Sequence, residues 1–433
     1  MLKNLAGGLD DVSRRGFLSA SALSLLGVGA LPLLEGILPA QDAGSVPIRP
    51  GAKAKNVIYL YMSGGMTHLD TFDLKPGAPT QGPTEGAKTS ADGVVINKLF
   101  EKLSRQMHHV AVVNSLTSNQ GAHQQGQYLM HTSYILRGTI KHPTIGAWMS
   151  LMAGSRNATL PAHVAIGGGN NGASAGFMEP KHGPLPIGNP TSGLQNSKRP
   201  AGVDEAAYAG RLNRAQEMND AFAAKYDVRE VRGYSDMYDQ AVRLMSSKDL
   251  EVFDLTKEPT EMRQAYGMDP FGQGVLLARR LVENKVRCVE VQLGGWDTHN
   301  ENFEAMEKKL PVLDRALGTL LEDLQKRGLL EETLVVLATE FGRTPEIKEE
   351  REGRDHYPKA FSGLLAGGGI KGGQTWGKTD KEGREVAEKP VTVPDFNATI
   401  AHAIGLPLGF PVHSPSGRPF KVADKGTPIM ELF

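Results

Sequence analysis

The stretch Asn56-Val57-Ile58-Tyr59-Leu60-Tyr61-Met62-Ser63-Gly64-Gly65 decides the fold class of this chain. Its first part is an apolar run, which is typical of a strand that is buried on both faces of a parallel sheet. The two glycines that follow allow the backbone to turn sharply where the strand ends. The sequence therefore predicts a central buried strand over 56–62.

Similar runs later in the chain extend this strand into a sheet. Four further strands are predicted, over Val110 to Asn114, Val286 to Leu293, Thr333 to Thr339 and Ala360 to Leu365. Helices are predicted over 98–107 and around 303–324, where Pro311 starts or kinks the helix and Gly328 ends it. Because strands alternate with crossover helices, we expect an α/β domain with a largely parallel sheet.

Three segments have the composition of loops or insertions. Residues 76–93 and 167–200 are rich in Gly, Pro and small polar residues, so we predict a surface loop and a long loop or flap. Residues from about 203 to 285 are mostly helical in pattern and read as a helical insertion.

The N-terminal segment resembles an export signal. Arg14 and Arg15 precede an apolar run, Leu23 to Leu34, and this order resembles a twin-arginine signal. We predict a signal peptide over 1–40, a linker over 41–55 and one domain over 56–433, delivered by the twin-arginine machinery to the periplasm or the cell exterior. Leu38-Pro39-Ala40 does not fully match a cleavage site, so an ordinary signal or an uncleaved membrane tether stays open.

Composition excludes several function classes. Lysine plus arginine and aspartate plus glutamate both total 48, so nothing favours a nucleic-acid partner or an acidic membrane surface. Cys288 is the single cysteine, which rules out an intramolecular disulfide. It lies in an alternating apolar pattern that is typical of a core residue rather than a nucleophile.

Polar side chains follow the predicted strands. Ligands bind outside the carboxyl ends of strands in open parallel sheets, so these residues are candidates for a site. Imidazole and carboxylate together suit a divalent metal such as zinc, manganese or iron. The alternative for one such pair is a capped helix start with a hydrogen-bonded histidine. The candidates are His68 and Asp70, Asp297 and His299, Glu340 and Arg343, and Arg354, Asp355 and His356.

A second candidate feature follows the Val110 strand. A helix is predicted to begin near Gly121, with its free N–H groups and positive dipole end at the same sheet edge. That position suits a phosphate, a sulfate or a nucleophile that takes up such a group. His123 lies in the first helical turn, where a capping or core role is the alternative to catalysis.

Several motifs together resemble a known family: twin-arginine-exported bacterial proteins of the DUF1501 group, a domain of unknown function in the alkaline phosphatase and sulfatase superfamily. The resemblance spans the chain and implies an alkaline phosphatase-like three-layer sandwich. The segments that carry it are Met62-Ser63-Gly64-Gly65-Met66-Thr67-His68-Leu69-Asp70, Gly295-Trp296-Asp297-Thr298-His299, Thr339-Glu340-Phe341-Gly342-Arg343-Thr344, Gly353-Arg354-Asp355-His356 and Gly367-Gly368-Gly369-Ile370-Lys371-Gly372-Gly373.

The resemblance also implies a metal centre. The superfamily binds one or two metals, so it implies a divalent ion here, zinc, manganese or calcium, held by Asp297, His299, Glu340 and His356. Asp355 would be a ligand or would orient one.

This chain departs from the superfamily pattern at three places. Gly64-Gly65 replaces the usual metal-binding aspartate, so His68 or Asp70 would have to substitute. Phe341 follows Glu340 where a second ligand is usual. No Cys-x-Pro-x-Arg motif is present, which excludes a formylglycine sulfatase.

Two functions follow from the resemblance and the residues. The first is a metal-dependent hydrolase of phosphate or sulfate esters, with polysaccharide esters as one candidate substrate and His123 as nucleophile, general acid or ligand. Thr117, Ser118 and Thr132 are alternative nucleophiles. Arg343 and Arg354 would pair with oxyanion oxygens, unless they form structural salt bridges. The second function is a non-catalytic, metal-containing binding or assembly protein at the cell surface, on the same fold.

Overall fold

The computed structural model describes residues 48–167, 174–197, 199–226 and 228–433. The predicted signal peptide and residues 41–47 lie outside the described residues. Residues 48–55, predicted as linker, contact the domain, since Arg49 N–H donates to Gly405 O at 2.8 Å. Within the described residues, no helix combines the length and apolar character needed to span a bilayer.

A nine-stranded sheet forms the centre of the described domain, in the order β8-β2-β7-β6-β1-β5-β3-β4, with β9 also paired to β2. Its strands are β1 (Asn56–Met62), β2 (Val110–Thr117), β3 (His163–Ile166), β4 (Leu185–Ile187), β5 (Cys288–Leu293), β6 (Thr333–Ala338), β7 (Phe361–Ala366), β8 (Gln374–Trp376) and β9 (Val391–Thr392).

The predicted largely parallel sheet is confirmed. β1 pairs in parallel with β5 on one side and β6 on the other. β7 runs antiparallel to both β2 and β6, so β2 and β6 point the same way. The carboxyl ends of β1, β2, β5 and β6 therefore share one edge of the sheet.

Helices cover both faces of this sheet. They are α1 (His123–Thr132), α2 (Ile145–Ala153), α3 (Glu205–Lys225), α4 (Arg229–Met245), α5 (Thr260–Tyr266), α6 (Pro270–Glu283), α7 (Asn302–Lys326) and α8 (Val393–Ala403). Short 3-10 turns lie at Leu103–His109, Pro180–His182, Pro190–Ser192, Lys248–Phe253, Leu255–Lys257, Leu330–Glu332 and Met430–Leu432. Two-stranded ladders pair Gly86–Lys88 with Val95–Asn97, Gly342–Arg343 with His356–Tyr357, Lys378–Thr379 with Val386–Glu388, and Val412–His413 with Pro419–Phe420.

Alternate residues of β1 divide the core into two halves. Ile58, Leu60 and Met62 pack with residues of α6 and α7. Val57, Tyr59 and Tyr61 pack with residues of α1, α2 and α8 on the opposite face. Because both faces of the strand are buried, the whole stretch is apolar. The predicted three-layer arrangement is confirmed.

The helix predicted over 98–107 is wrong in extent. Only a 3-10 turn, Leu103–His109, forms there, and its start is tied to α7 by Asp314, whose carboxylate accepts from Lys102 N–H and Leu103 N–H. Val95–Asn97, just before it, is a strand paired with the predicted surface loop. α7 begins at Asn302, well before Pro311, so the proline does not start this helix.

The helices within the predicted insertion, 203–285, differ in burial. α3 has no buried residue, which fits an insertion on the surface. α6, however, is a core helix, with Val275 and Leu276 fully buried against the sheet. Helical periodicity is the same in a crossover helix and in an inserted one, so the sequence pattern did not separate them.

Candidate metal centre

Three chain segments meet where parallel strands end. α1 begins just after β2, the loop after β5 precedes α7, and the chain after β6 forms the short ladder that precedes β7. Together they place seven predicted site residues in one cluster: His123, Asp297, His299, Glu340, Arg343, Asp355 and His356.

Three imidazole nitrogens surround the carboxylate of Asp297. Its Oδ1 atom lies 3.0 Å from His299 Nε2 and 3.2 Å from His356 Nε2. Its Oδ2 atom lies 3.3 Å from His123 Nε2. The Nε2 atoms of His299 and His356 are themselves 3.1 Å apart. Ligating atoms of His123, Asp297 and His356 all lie within 4.8 Å of one another.

The opposite nitrogen of each ring faces a hydrogen-bond acceptor. The acceptors are a buried carboxylate, an exposed carboxylate and a backbone carbonyl: Glu340 Oε1 for His123 at 2.8 Å, Asp355 Oδ1 for His299 at 2.8 Å, and Gly121 O for His356 at 2.9 Å. Each acceptor requires an N–H at Nδ1, so each Nε2 of a neutral ring keeps its lone pair. Metal-ligating histidines are fixed in this way.

The donor set fits a divalent cation. Three nitrogen lone pairs of neutral rings converge on one carboxylate that also accepts a hydrogen bond from Arg343, and a positive charge between the rings would relieve the crowding of electron pairs. A nitrogen-rich set with one carboxylate suits zinc and neighbouring transition metals better than calcium, which prefers oxygen.

Glu340 orients His123 in this arrangement. Its side chain is 2 % exposed, and both oxygens are used: Oε1 accepts from Gly64 N–H at 2.8 Å and from His123, and Oε2 accepts from Tyr61 Oη at 2.8 Å. Burial by itself would raise the pKa of Glu340, but these hydrogen bonds lower it. In the structure Glu340 therefore accepts a hydrogen bond from the His123 ring, and its role as a metal ligand stays a prediction.

Arg343 is buried and fixes Asp297. The guanidinium is buried and donates to Gly64 O, to Gly65 O at 2.9 Å and to Asp297 Oδ1. Partial burial opposes ionisation of Asp297, but Arg343 outweighs it and lowers the pKa of this carboxyl to about 2. Asp297 is consequently an anion at neutral pH. Arg343 also donates from Nη1 to Arg354 O at 3.1 Å, so in the structure this predicted oxyanion-binding side chain holds backbone carbonyls and Asp297.

Three predicted residues lie outside the cluster, in the buried interior. The carboxylate of Asp70 accepts from Arg354 Nε at 2.8 Å, Asn302 Nδ2 at 2.9 Å and Thr84 Oγ1 at 2.9 Å. Both side chains of the Arg354–Asp70 pair are 0 % exposed. Asp70 and Arg354 pair with each other in the interior, and His68 is buried with its Nδ1 atom unpartnered. Among the described residues, the group of converging ligand atoms is that of His123, Asp297 and His356, which includes none of these three. His68 Nε2 instead contacts Gly383 O at 2.9 Å.

Two glycines allow the loops to approach closely. A Cβ on Gly64, whose φ is +122°, would lie 2.5 Å from the backbone nitrogen of Asp297. A Cβ on Gly353 would lie 1.7 Å from His299 O. The loop that carries Asp355 therefore contacts the His299 backbone directly, which fixes the two segments relative to each other.

The comparison with known families covers nearly the whole described domain. Residues 54–433 match the family described as "Protein of unknown function (DUF1501)". The chain belongs to the DUF1501 family. No curated protein matches this DUF1501 chain.

Solved structures align with this DUF1501 protein over most of its length, at low identity. PsFucS1 sulfatase from Pseudoalteromonas sp. is 14% identical with a TM-score of 0.38, and the alignment covers 86% of this chain and 73% of that one. Lipoteichoic acid synthase LtaP from Listeria monocytogenes is 10% identical with a TM-score of 0.38, over 84% and 76%. A mutant of alkaline phosphatase PafA is 10% identical with a TM-score of 0.41, over 87% and 98%.

The N-terminus of α1 adjoins the cluster of this DUF1501 protein. The helix begins at His123, its N-cap Ala122 makes no side-chain cap, and its first turn carries no acidic residue. Its positive end therefore faces the site without an internal anion. Thr132 lies at the other end of α1 and donates to Tyr128 O at 2.7 Å, so it does not adjoin the cluster as a nucleophile.

Two supporting groups escaped the sequence reasoning. Tyr61 was assigned to the strand as a core residue, yet its hydroxyl holds Glu340. Its position in the apolar run placed it on a buried face of the sheet. Nothing in the strand sequence indicates that its hydroxyl meets the carboxylate of Glu340. Gly121 O, the acceptor for His356, is a backbone atom for which the sequence carries no side-chain signal.

Proposed function

We propose that this DUF1501 protein is a metal-dependent hydrolase of phosphate or sulfate esters. The single observation that supports it is the convergence of three imidazole Nε2 atoms on the carboxylate of Asp297. His123, Asp297, His299 and His356 would hold the ion. A divalent ion supplies Lewis acidity, which withdraws negative charge from the oxygens of a phosphoryl or sulfuryl group.

The chain's own residues prepare this centre. Glu340, Asp355 and Gly121 O each accept a ring N–H and so hold a histidine in one tautomer. Arg343 keeps Asp297 ionised and fixes its orientation. We therefore assign His123 the role of a ligand rather than that of a nucleophile.

The surroundings favour an anionic substrate. The side chains of His123, Asp297, His299 and His356 are between 25% and 45% exposed, so a ligand can reach them from solvent. The uncapped start of α1 offers backbone N–H groups and a positive dipole end beside the same cluster. A tetrahedral anion that contacts both the ion and this helix end would place its central atom in the site.

An ester panel tests the proposal. The purified protein is assayed on aryl phosphate monoesters, aryl phosphate diesters and aryl sulfates, before and after chelation and after the return of zinc or manganese. We expect turnover of at least one class, lost on chelation and restored by metal. His356→Ala should abolish it, whereas His413→Ala, at an exposed position, should not. Turnover that survives chelation and His356→Ala would refute the assignment.

We further propose that the protein reaches its substrate after twin-arginine export. Arg14 and Arg15 support this, as the residues that the export machinery would recognise. In the paired variant Arg14→Lys/Arg15→Lys the protein should accumulate in the cytoplasm, as measured by fractionation. Unchanged export of that variant would contradict the route.

A further inference from the structure

A small cavity lies in the core beneath α1, on the face of the sheet that carries Tyr59. Its volume is about 10 Å³, which is room for one water molecule. Residues of three adjacent strands line it, Tyr59 of β1, Cys288 and Glu290 of β5 and His163 of β3, together with His131 of α1. The lining is mixed: apolar residues such as Met130 and Ile145 complete it beside these polar side chains.

Two buried polar atoms of this lining have no partner among the described residues. They are Tyr59 Oη and His163 Nδ1, and both side chains are 2% exposed. β5 lies between their strands, because Tyr59 pairs with Glu290 and His163 pairs with Cys288. An unpartnered buried hydroxyl or imidazole nitrogen is costly, so such atoms usually bind ordered water.

The two atoms have complementary needs. Burial raises the pKa of Tyr59 well above its usual value, so the hydroxyl keeps its proton and can donate it. Burial lowers the pKa of His163 to about 4, so the ring is neutral at pH 7. The ring also hydrogen-bonds the backbone of His182, which leaves Nδ1 as the acceptor. A water molecule is the smallest group that accepts from one and donates to the other.

We propose that this cavity binds one ordered water molecule, which accepts from Tyr59 Oη and donates to His163 Nδ1. The Glu290 carboxylate, which lines the same cavity, offers an acceptor for the second hydrogen. That gives three polar partners, the usual number for a buried water.

A metal ion is the competing occupant, and the geometry disfavours it. His131 Nε2 already contacts Glu290 Oε1 at 3.1 Å and its Nδ1 contacts Gln127 O at 2.8 Å, so this ring has no free lone pair. Burial raises the pKa of the Cys288 thiol, which keeps it protonated. Among the described residues, the metal-type cluster of converging ligands is the one at Asp297.

The water site lies behind the candidate metal centre and is independent of its function. His131 shares α1 with His123, and its ring packs edge-on against Tyr61 with centroids 4.4 Å apart. Tyr61 in turn holds Glu340. The residues around the proposed water molecule therefore pack against Tyr61, which helps to orient His123 through Glu340. This packing does not depend on whether the centre hydrolyses esters.

A crystal structure of the exported protein at about 1.5 Å resolution tests the proposal. We expect one spherical density peak within hydrogen-bond distance of both Tyr59 Oη and His163 Nδ1. An empty cavity would overturn the proposal, and so would a peak with anomalous signal at metal-ligand distances. Neither result depends on ester hydrolysis, so failure here and failure of the hydrolase assignment are distinguishable.

The direction in which Tyr59→Phe changes the Tm gives a second test. If water is bound, Tyr59→Phe removes one of its partners, and we expect the Tm to fall by about 1–3 °C. If the cavity is dry, the same change removes an unpaired hydroxyl, and the Tm stays constant or rises. Tyr266→Phe is the matched control, because its buried hydroxyl donates to Asp323 at 2.9 Å and its loss must lower the Tm.

Discussion

The Nε2 atoms of His299 and His356 lie 3.1 Å apart, and each ring uses its other nitrogen to donate a hydrogen bond. Two lone pairs at this distance repel each other unless a positive charge lies between or beside them. Asp297 Oδ1 lies 3.0 Å and 3.2 Å from the same atoms and adds negative charge. Arg343 donates to the same Oδ1 atom and offsets part of this negative charge. A divalent cation would satisfy all three groups, and this geometry supports the proposed metal centre.

Tyr61→Phe should weaken metal binding without unfolding the protein. The change removes the hydrogen bond that holds Glu340, so the His123 ring is less well oriented, and losses of this kind cost about 10–100-fold in metal affinity. Competition with a chelator measures the affinity. Tyr266→Phe, which removes a hydroxyl far from the cluster, should leave the affinity unchanged. Equal metal affinities in both variants would show that the Tyr61 hydroxyl does not contribute to metal binding.

Gly353→Ala should disturb both the metal centre and the fold. A Cβ at this position would lie 1.7 Å from His299 O, so the Asp355–His356 loop or the His299 loop must move. Overpacking of this kind costs about 1–3 kcal/mol, and metal affinity should fall with it. Gly138→Ala is the control, since no atom lies within 4 Å of the added Cβ. Wild-type stability and affinity in Gly353→Ala would show that the loop approach is unimportant.

Arg354→Met should destabilise the protein and spare the metal. The substitution leaves the Asp70 carboxylate buried without its cation, and breaking such a pair costs about 3–5 kcal/mol. Urea denaturation measures the loss, with Arg418→Met at an exposed position as the control. If stability is unchanged and ester turnover falls instead, Arg354 binds substrate as the sequence first indicated.

Stability should decline as the pH falls from about 6.5 to 4, in part because of His163. Burial lowers the pKa of this ring to about 4 in the folded state. An unfolded histidine titrates near 6.5, so between these values only the unfolded state binds the proton. The folded state therefore loses on the order of 3 kcal/mol across this window. His163→Gln should flatten this part of the curve of unfolding free energy against pH, whereas an unaltered slope would assign it to other groups.

Apolar runs in the sequence predict the strands of the central sheet. The polar residues that come directly after these runs predict part of the candidate site. The strand over 56–62 was predicted to the residue, because burial on both faces leaves no polar alternation. The rule that ligands bind at the carboxyl ends of parallel strands predicted that several polar residues would lie close together. These residues are His123, Asp297, His299, Asp355 and His356.

The remaining site residues depend on partners that sequence spacing does not reveal. Asp70 follows β1 as closely as a ligand would, yet Arg354 meets it in the interior. Glu340 became an acceptor for His123 because Tyr61 and Gly64 N–H already hold its oxygens. The role of each of these carboxylates depends on which charged or polar group lies next to it in the fold. Loop conformations determine those neighbours, and the sequence pattern does not predict loop conformations.

The metal content of the purified protein tests the central claim most directly. Elemental mass spectrometry should find near-stoichiometric transition metal in the wild type. The double variant Asp297→Ala/His299→Ala should lose it while remaining folded by circular dichroism. Well-folded wild-type protein that takes up no zinc or manganese, even on dialysis against either ion, would contradict the metal centre and the hydrolase proposed from it.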